Sequence, residues 1–115
     1  MGDRTSIPDA AVVQAWVDDN WSLDVTVGEW WSRLARAGYA YPAWPVGLGG
    51  LGASSRDAAV VTAVLGSNRV IAPPAGYLAA SLAAPTIISH GRDDQKERYV
   101  AAIARGEEAW CQLFS

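Results

Sequence analysis

The helical patterning of this chain stops at Gly106 and gives way to a β-type run with no partner strand upstream: Glu107-Glu108-Ala109-Trp110-Cys111-Gln112-Leu113-Phe114-Ser115. A buried strand must pair its backbone N–H and C=O groups. The run therefore reads as the first strand of a sheet whose other strands are missing from this sequence. The expected organisation is a helical domain over residues 1–108 and the opening strand of a truncated β-domain over residues 109–115. The chain then looks like the front part of a larger protein, cut at a domain boundary.

Upstream of Gly106 only helix signals recur. Pro8 with Asp9 behind it suits a first helical turn. Val12, Val13, Trp16 and Val17 then set an apolar stripe at helical spacing. Thr26-Val27-Gly28-Glu29 is a capping-box pattern opening a second helix, with Trp30, Trp31, Leu34 and Ala37 on its apolar face and Gly38 as its left-handed terminator. Residues 39–52 hold two prolines and four glycines, which prevent a regular element, and three aromatics, which suggest a loop packed on the body. Ser54 or Ser55 caps a third helix with Val60, Val61, Val64 and Leu65 inward. Pro73-Pro74 breaks the chain again. A fourth helix is expected from about Tyr77 to His90, kinked or split at Pro85, which removes a helical hydrogen bond and crowds the preceding turn. Asp93 and Asp94 open a fifth, carrying Tyr99, Val100 and Ile103. The expected fold class is all-α: a bundle of five to six helices, ending in a single strand that belongs to an absent β-barrel domain.

Composition excludes several functions. With 115 residues, half of them apolar, the chain can build one core. A formal charge of −3 and the lack of a Lys/Arg cluster argue against a nucleic-acid surface. The lone Cys111 excludes an intrachain disulfide and a multi-cysteine zinc site, and no metal site is expected. Met1 to Ser6 lack the apolar core of a signal peptide, and no stretch approaches a membrane span, so the expected location is the cytoplasm. Asn20-Trp21-Ser22 matches a glycosylation sequon, but no secretory signal accompanies it.

Few residues invite chemistry. Gly47-Leu48-Gly49-Gly50-Leu51-Gly52 fits G-x-G-x-x-G, yet a dinucleotide site needs a strand before it and an acidic residue about 20 positions on. Both are missing, so the favoured reading is a tight loop passing close under a helix. His90 precedes a helix-ending glycine, where a cation complements the helix terminus. Cys111 reads as a buried, inert thiol, and Glu107 and Glu108 as solvated turn residues. Trp44 and Trp110 read as packing residues that could also touch a ligand or a neighbouring domain. No catalytic residue emerges.

Taken in order, several segments resemble one family. Trp31-Ser32-Arg33-Leu34-Ala35-Arg36-Ala37-Gly38-Tyr39-Ala40 and Trp44-Pro45-Val46-Gly47-Leu48-Gly49-Gly50-Leu51-Gly52 resemble the N-terminal helical domain of acyl-CoA dehydrogenases. Leu82-Ala83-Ala84-Pro85-Thr86-Ile87-Ile88-Ser89-His90-Gly91, then Gln95-Lys96-Glu97-Arg98-Tyr99, resemble its fourth and fifth helices, and Trp110 to Ser115 its first β-strand. The similarity spans residues 10–115.

The resemblance implies a three-domain flavoprotein oxidoreductase of fatty acid or lipid metabolism. It would hold FAD and α,β-dehydrogenate an acyl-CoA thioester. A carboxylate in the last domain would take the α-proton, and the flavin would take the hydride. An electron-transfer acceptor protein would be its partner, and a homo- or hetero-oligomer its assembled form. Gln112, Leu113, Phe114 and Ser115 would contact the cofactor, with Ser115 matching a hydroxyl residue near the flavin ring. Tyr77, Leu78, Ser81 and Leu82 would wall part of the acyl cavity. Ala79 and Ala80 would either leave room for a bulky acyl group or only allow close helix packing. The base and most FAD contacts lie outside this sequence, so the isolated fragment is expected to be inactive. Two alternatives remain open: a non-catalytic helical subunit pairing with a complete homologue, and an acyl-CoA oxidase of the same fold.

Overall fold

The computed structural model describes residues 8–74 and 78–113. Five helical runs succeed one another. They are α1 (Ala10–Asn20), α2 (Val27–Ala37), α3 (Ser55–Ser67), α4 (residues 79–90) and α5 (residues 93–104). Among the described residues there is no strand, only one isolated bridge between Val46 and Gly50. The tail leaves the helices after Gly106, and residues 107–113 form no regular element.

The starts and stops obey local chemistry. Asp9 caps α1 by accepting from the Val12 N–H at 3.0 Å, and Ser54 caps α3 by accepting from the Asp57 N–H at 3.1 Å. Of the capping box expected on α2, half forms. Thr26 accepts from the Glu29 N–H at 3.1 Å, but the Glu29 carboxylate turns away to Arg33 at 3.0 Å and Arg36 at 3.3 Å. Two guanidinium groups outcompete one backbone donor for the same carboxylate. Gly38 ends α2 in the left-handed region, φ 83°, as expected.

Neither α4 nor α5 is a uniform α-helix. The first is a π-turn, Ala79–Ala83, running into an α-helical stretch, Ala84–His90. The second begins α-helical at Asp93–Gln95, widens to a π-turn at Lys96–Val100 and closes as Ala101–Ala104. Pro85 therefore does not split its helix. In a straight α-helix its ring would crowd the carbonyl four residues back. The wide turn immediately before it, where the Ala84 N–H donates to the Ala79 carbonyl, relieves that crowding.

Two hydrophobic clusters organise the packing. The larger joins α1, α2 and α3 through Val13, Val17, Trp30, Leu34, Tyr39, Val61, Val64 and Leu65. Trp30 is fully buried, with Trp16 and Trp21 against it at ring-centroid distances of 5.3 and 5.0 Å. An amide pair reinforces this unit, Gln14 and Asn68 exchanging bonds of 2.9 and 2.8 Å between α1 and the end of α3. The smaller cluster joins α4, α5 and the glycine loop through Ala79, Ala84, Val100, Ile103 and Leu48.

The segment after α3 is pinned across α2. Trp30 Nε1 donates to the Ile71 carbonyl and Trp31 Nε1 to the Ala72 carbonyl, each at 2.8 Å, and the Tyr41 hydroxyl donates to the Pro74 carbonyl. A segment that belongs to no helix thus has its backbone acceptors satisfied by side chains of the core. The G-x-G-x-x-G loop is the tight crossing expected. A Cβ on Gly49 would collide with Ala104 of α5, and one on Gly50 with the Trp44 and Tyr41 carbonyls.

Candidate functional site

The expected acyl-wall and cofactor residues can be located only in part, because Tyr77, Phe114 and Ser115 lie outside the described residues. Of the remaining ones, Leu78, Leu82 and Gln112 line a groove of about 290 Å³ between α4 and the tail. Leu78, Leu82, Ala83, Thr86 and Ile87 form one wall, and Trp110, Cys111 and Gln112 the other. Positions 78, 82 and 86 repeat every four residues, so one face of α4 meets the tail. Ser81 is exposed and does not line the groove. It sits three residues beyond Leu78 in a π-turn, and the wide turn carries that position round to another face.

The tail is held against α5 by charge and aromatic contacts. Arg98 Nη1 meets the Glu108 carboxylate at 2.7 Å, while Arg105 Nε and Nη2 meet both oxygens of Glu107 at 2.8 and 3.1 Å. The hydrogen bond from Arg105 pulls the Glu107 carboxyl below its ordinary range, and the bond to Glu108 raises the Arg98 guanidinium. These two glutamates are therefore ion-paired, not merely solvated as the sequence suggested. Arg98 stands on the face of α5 that the tail crosses, and Arg105, just past the end of α5, reaches Glu107 two residues on. Trp110 packs edge-on to Tyr99, centroids 5.5 Å apart at 88°, and Arg98 lies 4.9 Å over the Tyr99 ring. Trp44, the other tryptophan singled out, instead stacks on Tyr41 at 4.1 Å.

Cys111 also departs from expectation. It is exposed, not buried, because only its groove side faces protein. Gln112 presents its amide at the groove with no hydrogen bond among the described residues, and Leu113 is 89% exposed. The groove can hold an apolar chain and offer one amide, and its lining has no carboxylate or imidazole. His90 sits in the last turn of α4, exposed and away from the groove.

Among the further clefts at the described residues, two are the least open. One, of about 300 Å³, lies between the glycine loop and the ends of α2 and α5, and its Arg105 is already held by Glu107. The other, of about 170 Å³, is lined by Tyr39, Leu65, Val70 and Pro73. No group of metal-ligating side chains occurs among the described residues, and no helix there is long and apolar enough to cross a membrane.

Comparison with known proteins decides the family. The family model described as "Acyl-CoA dehydrogenase, N-terminal domain" matches residues 9–107. The chain belongs to the acyl-CoA dehydrogenase family. The match takes in all five helices of this acyl-CoA dehydrogenase N-terminal domain and ends where the tail begins. Among curated relatives, acyl-CoA dehydrogenase FadE34 of Mycobacterium tuberculosis is 42% identical over 82 residues, covering 71% of this chain and 11% of its own length. Acyl-CoA dehydrogenase FadE26 of the same organism is 30% identical over 76 residues, covering 66% of this chain and 18% of its own. The chain thus spans less than a fifth of the length of either relative. No solved structure matches it significantly.

The acyl-CoA dehydrogenase domain contains groove residues that sequence reading passed over. Thr86 and Ile87 succeed Leu82 and Ala83 at i+4, so helical periodicity alone extends the wall to them. Nothing in the sequence pattern pointed to Arg98 and Tyr99 as the residues that receive the tail.

Proposed function

We propose that this chain is the N-terminal helical part of an FAD-dependent acyl-CoA dehydrogenase, and that the α4–tail groove forms part of the wall around the acyl chain. The carrying observation is the meeting of Leu78 and Leu82 with Gln112 in one apolar groove. Family membership and two mycobacterial acyl-CoA dehydrogenases among the relatives support the reading.

In this reading residues 1–108 are the helical domain, and residues 109–115 are the first strand of a β-domain. Gln112, Leu113, Phe114 and Ser115 would hold the edge of FAD, which supplies a hydride acceptor when bound. The described residues suit such a role only as one margin of a site: Gln112 offers an amide donor and acceptor, and Trp110 an aromatic face. The α4 wall excludes water from the acyl chain through Leu78, Leu82 and Ile87. Proton removal from the α-carbon needs a base held within reach of the same substrate, and the groove lining supplies none. The electron acceptor would be a partner protein, and the working form an oligomer.

Flavin content tests this. A full-length protein carrying this domain is expected to hold FAD that a saturated acyl-CoA bleaches under anaerobic conditions. The 115-residue chain mixed with FAD is expected to elute colourless from gel filtration. A full-length protein that never retains flavin would overturn the dehydrogenase reading. Stoichiometric flavin on the short chain would overturn the claim that most of the cofactor site lies elsewhere.

A further inference from the structure

The groove has one wall on a helix and one on a segment with no regular structure, and a groove wall needs a fixed position. Residues 107–113 make no ladder and carry Leu113 out into solvent. Among the described residues their fixed points are on α5. Arg98, Tyr99, Glu108 and Trp110 form one contiguous set: ion pair at 2.7 Å, cation over ring at 4.9 Å, edge-on ring pair at 5.5 Å. Arg105 with Glu107 forms a second point one step nearer the helix end. Trp110 belongs to both structures, since it packs on Tyr99 and lines the groove. Neither Arg98 nor Tyr99 lines the groove.

Both residues lie in the π-turn Lys96–Val100. A π-turn accommodates one residue more than an α-turn and shifts the faces beyond it. Within this turn Val100 is fully buried in the small cluster, while Arg98 and Tyr99 face the tail. The irregularity in α5 therefore serves two surfaces at once: it keeps the core contact and presents a receiver for the tail.

We infer that Arg98 and Tyr99 are positioning residues, which clip Glu108 and Trp110 so that Trp110, Cys111 and Gln112 stand as the second wall of the groove. This rests on the reading of the groove as an acyl site for its consequence, though not for its geometry. Breaking the clip leaves every groove residue in place chemically and removes the definition of one wall. An acyl ligand would then lose contact without any change in the side chains that touch it.

Cys111 makes this testable, because it is the chain's one cysteine and it lines the groove. The measurement is the rate of Cys111 alkylation by iodoacetamide, with and without octanoyl-CoA, in the wild-type chain and in an Arg98→Gln/Tyr99→Ala double variant. Circular dichroism melting checks that the helices persist. Octanoyl-CoA is expected to slow alkylation in the wild type and to lose that protection in the double variant. The charge-swapped pair Arg98→Glu/Glu108→Arg, with Tyr99 intact, is expected to retain it. Equal protection in wild type and double variant would overturn the clip while leaving the acyl site standing. If octanoyl-CoA protects neither, the acyl reading of the groove fails, and a nitroxide on Cys111 then judges the clip. Faster label motion in the double variant supports it, and unchanged motion overturns it.

Discussion

Replacing Trp30 by alanine is expected to cost more stability than any other single change in this chain. Trp30 is fully buried, touches Trp16 and Trp21, and satisfies the Ile71 carbonyl through its indole N–H at 2.8 Å. Truncating a buried tryptophan to alanine costs about 3–5 kcal/mol, from lost transfer energy and the cavity left behind. Ile71 is exposed, so water can take over its carbonyl, and the lost hydrogen bond adds only about 0.5–1.5 kcal/mol. Small domains are stable by roughly 5–15 kcal/mol in total, so the variant should lose a large fraction of its stability. Urea titration monitored by circular dichroism measures the loss. Trp30→Phe separates the two contributions in part, since it removes the donor while keeping much of the ring volume. A midpoint unchanged in Trp30→Ala would mean that α1–α3 do not share the core described.

Gly50→Ala is expected to be the next most damaging change, and for a different reason. A Cβ at that position would lie 2.5 Å from the Tyr41 carbonyl oxygen and closer still to that of Trp44. Neither oxygen can retreat freely. The Tyr41 carbonyl accepts from the Trp44 N–H at 2.9 Å, and the Trp44 carbonyl from the Gly52 N–H at 2.8 Å. Forcing one methyl into backbone costs about 1–3 kcal/mol. The neighbouring Gly47→Ala makes the informative control, because a Cβ there meets nothing within 4 Å. Its φ of 85° strains an alanine while Gly50 is not left-handed, so the pair sets backbone strain alone against collision alone. Thermal melting of both variants should place Gly50→Ala clearly below Gly47→Ala. The reverse order would contradict the packed-loop account of the G-x-G-x-x-G motif.

That motif shows how much a sequence discloses on its own. The context missing around Gly47–Gly52 favoured a tight loop under a helix over a nucleotide site, and Gly49 against Ala104 forms that crossing. The helix starts at Thr26 and at Ser54 or Ser55 and the stop at Gly38 were legible because each depends on one side chain or one φ value, whereas Pro8 and Asp9, read as a first helical turn, precede the helix and Asp9 is its cap. The π-turns were not legible. Their apolar spacing differs from α-helical spacing by a fraction of a residue per turn, and the choice between the two is made by packing of α4 on α5. Leu78 and Leu82, expected together in the sequence, line the groove, while Ser81, expected beside them, does not. Exposure of Cys111 and pairing of Glu108 with Arg98 depend on where the tail crosses α5, and no local pattern encodes that crossing. Pairing of Glu107 with Arg105, two residues back, is a local contact that the sequence reading passed over.

The central claim is that the α4–tail groove takes an acyl chain. Its most direct test is methyl and amide chemical-shift mapping of the 115-residue chain titrated with octanoyl-CoA, with free CoA as the control. The account predicts that the acyl ligand, and not CoA alone, shifts the methyl signals of Leu78, Leu82 and Ile87 together with the side-chain amide of Gln112. Shifts confined to the cleft around Tyr39 and Leu65, or the same shifts with free CoA, would contradict it.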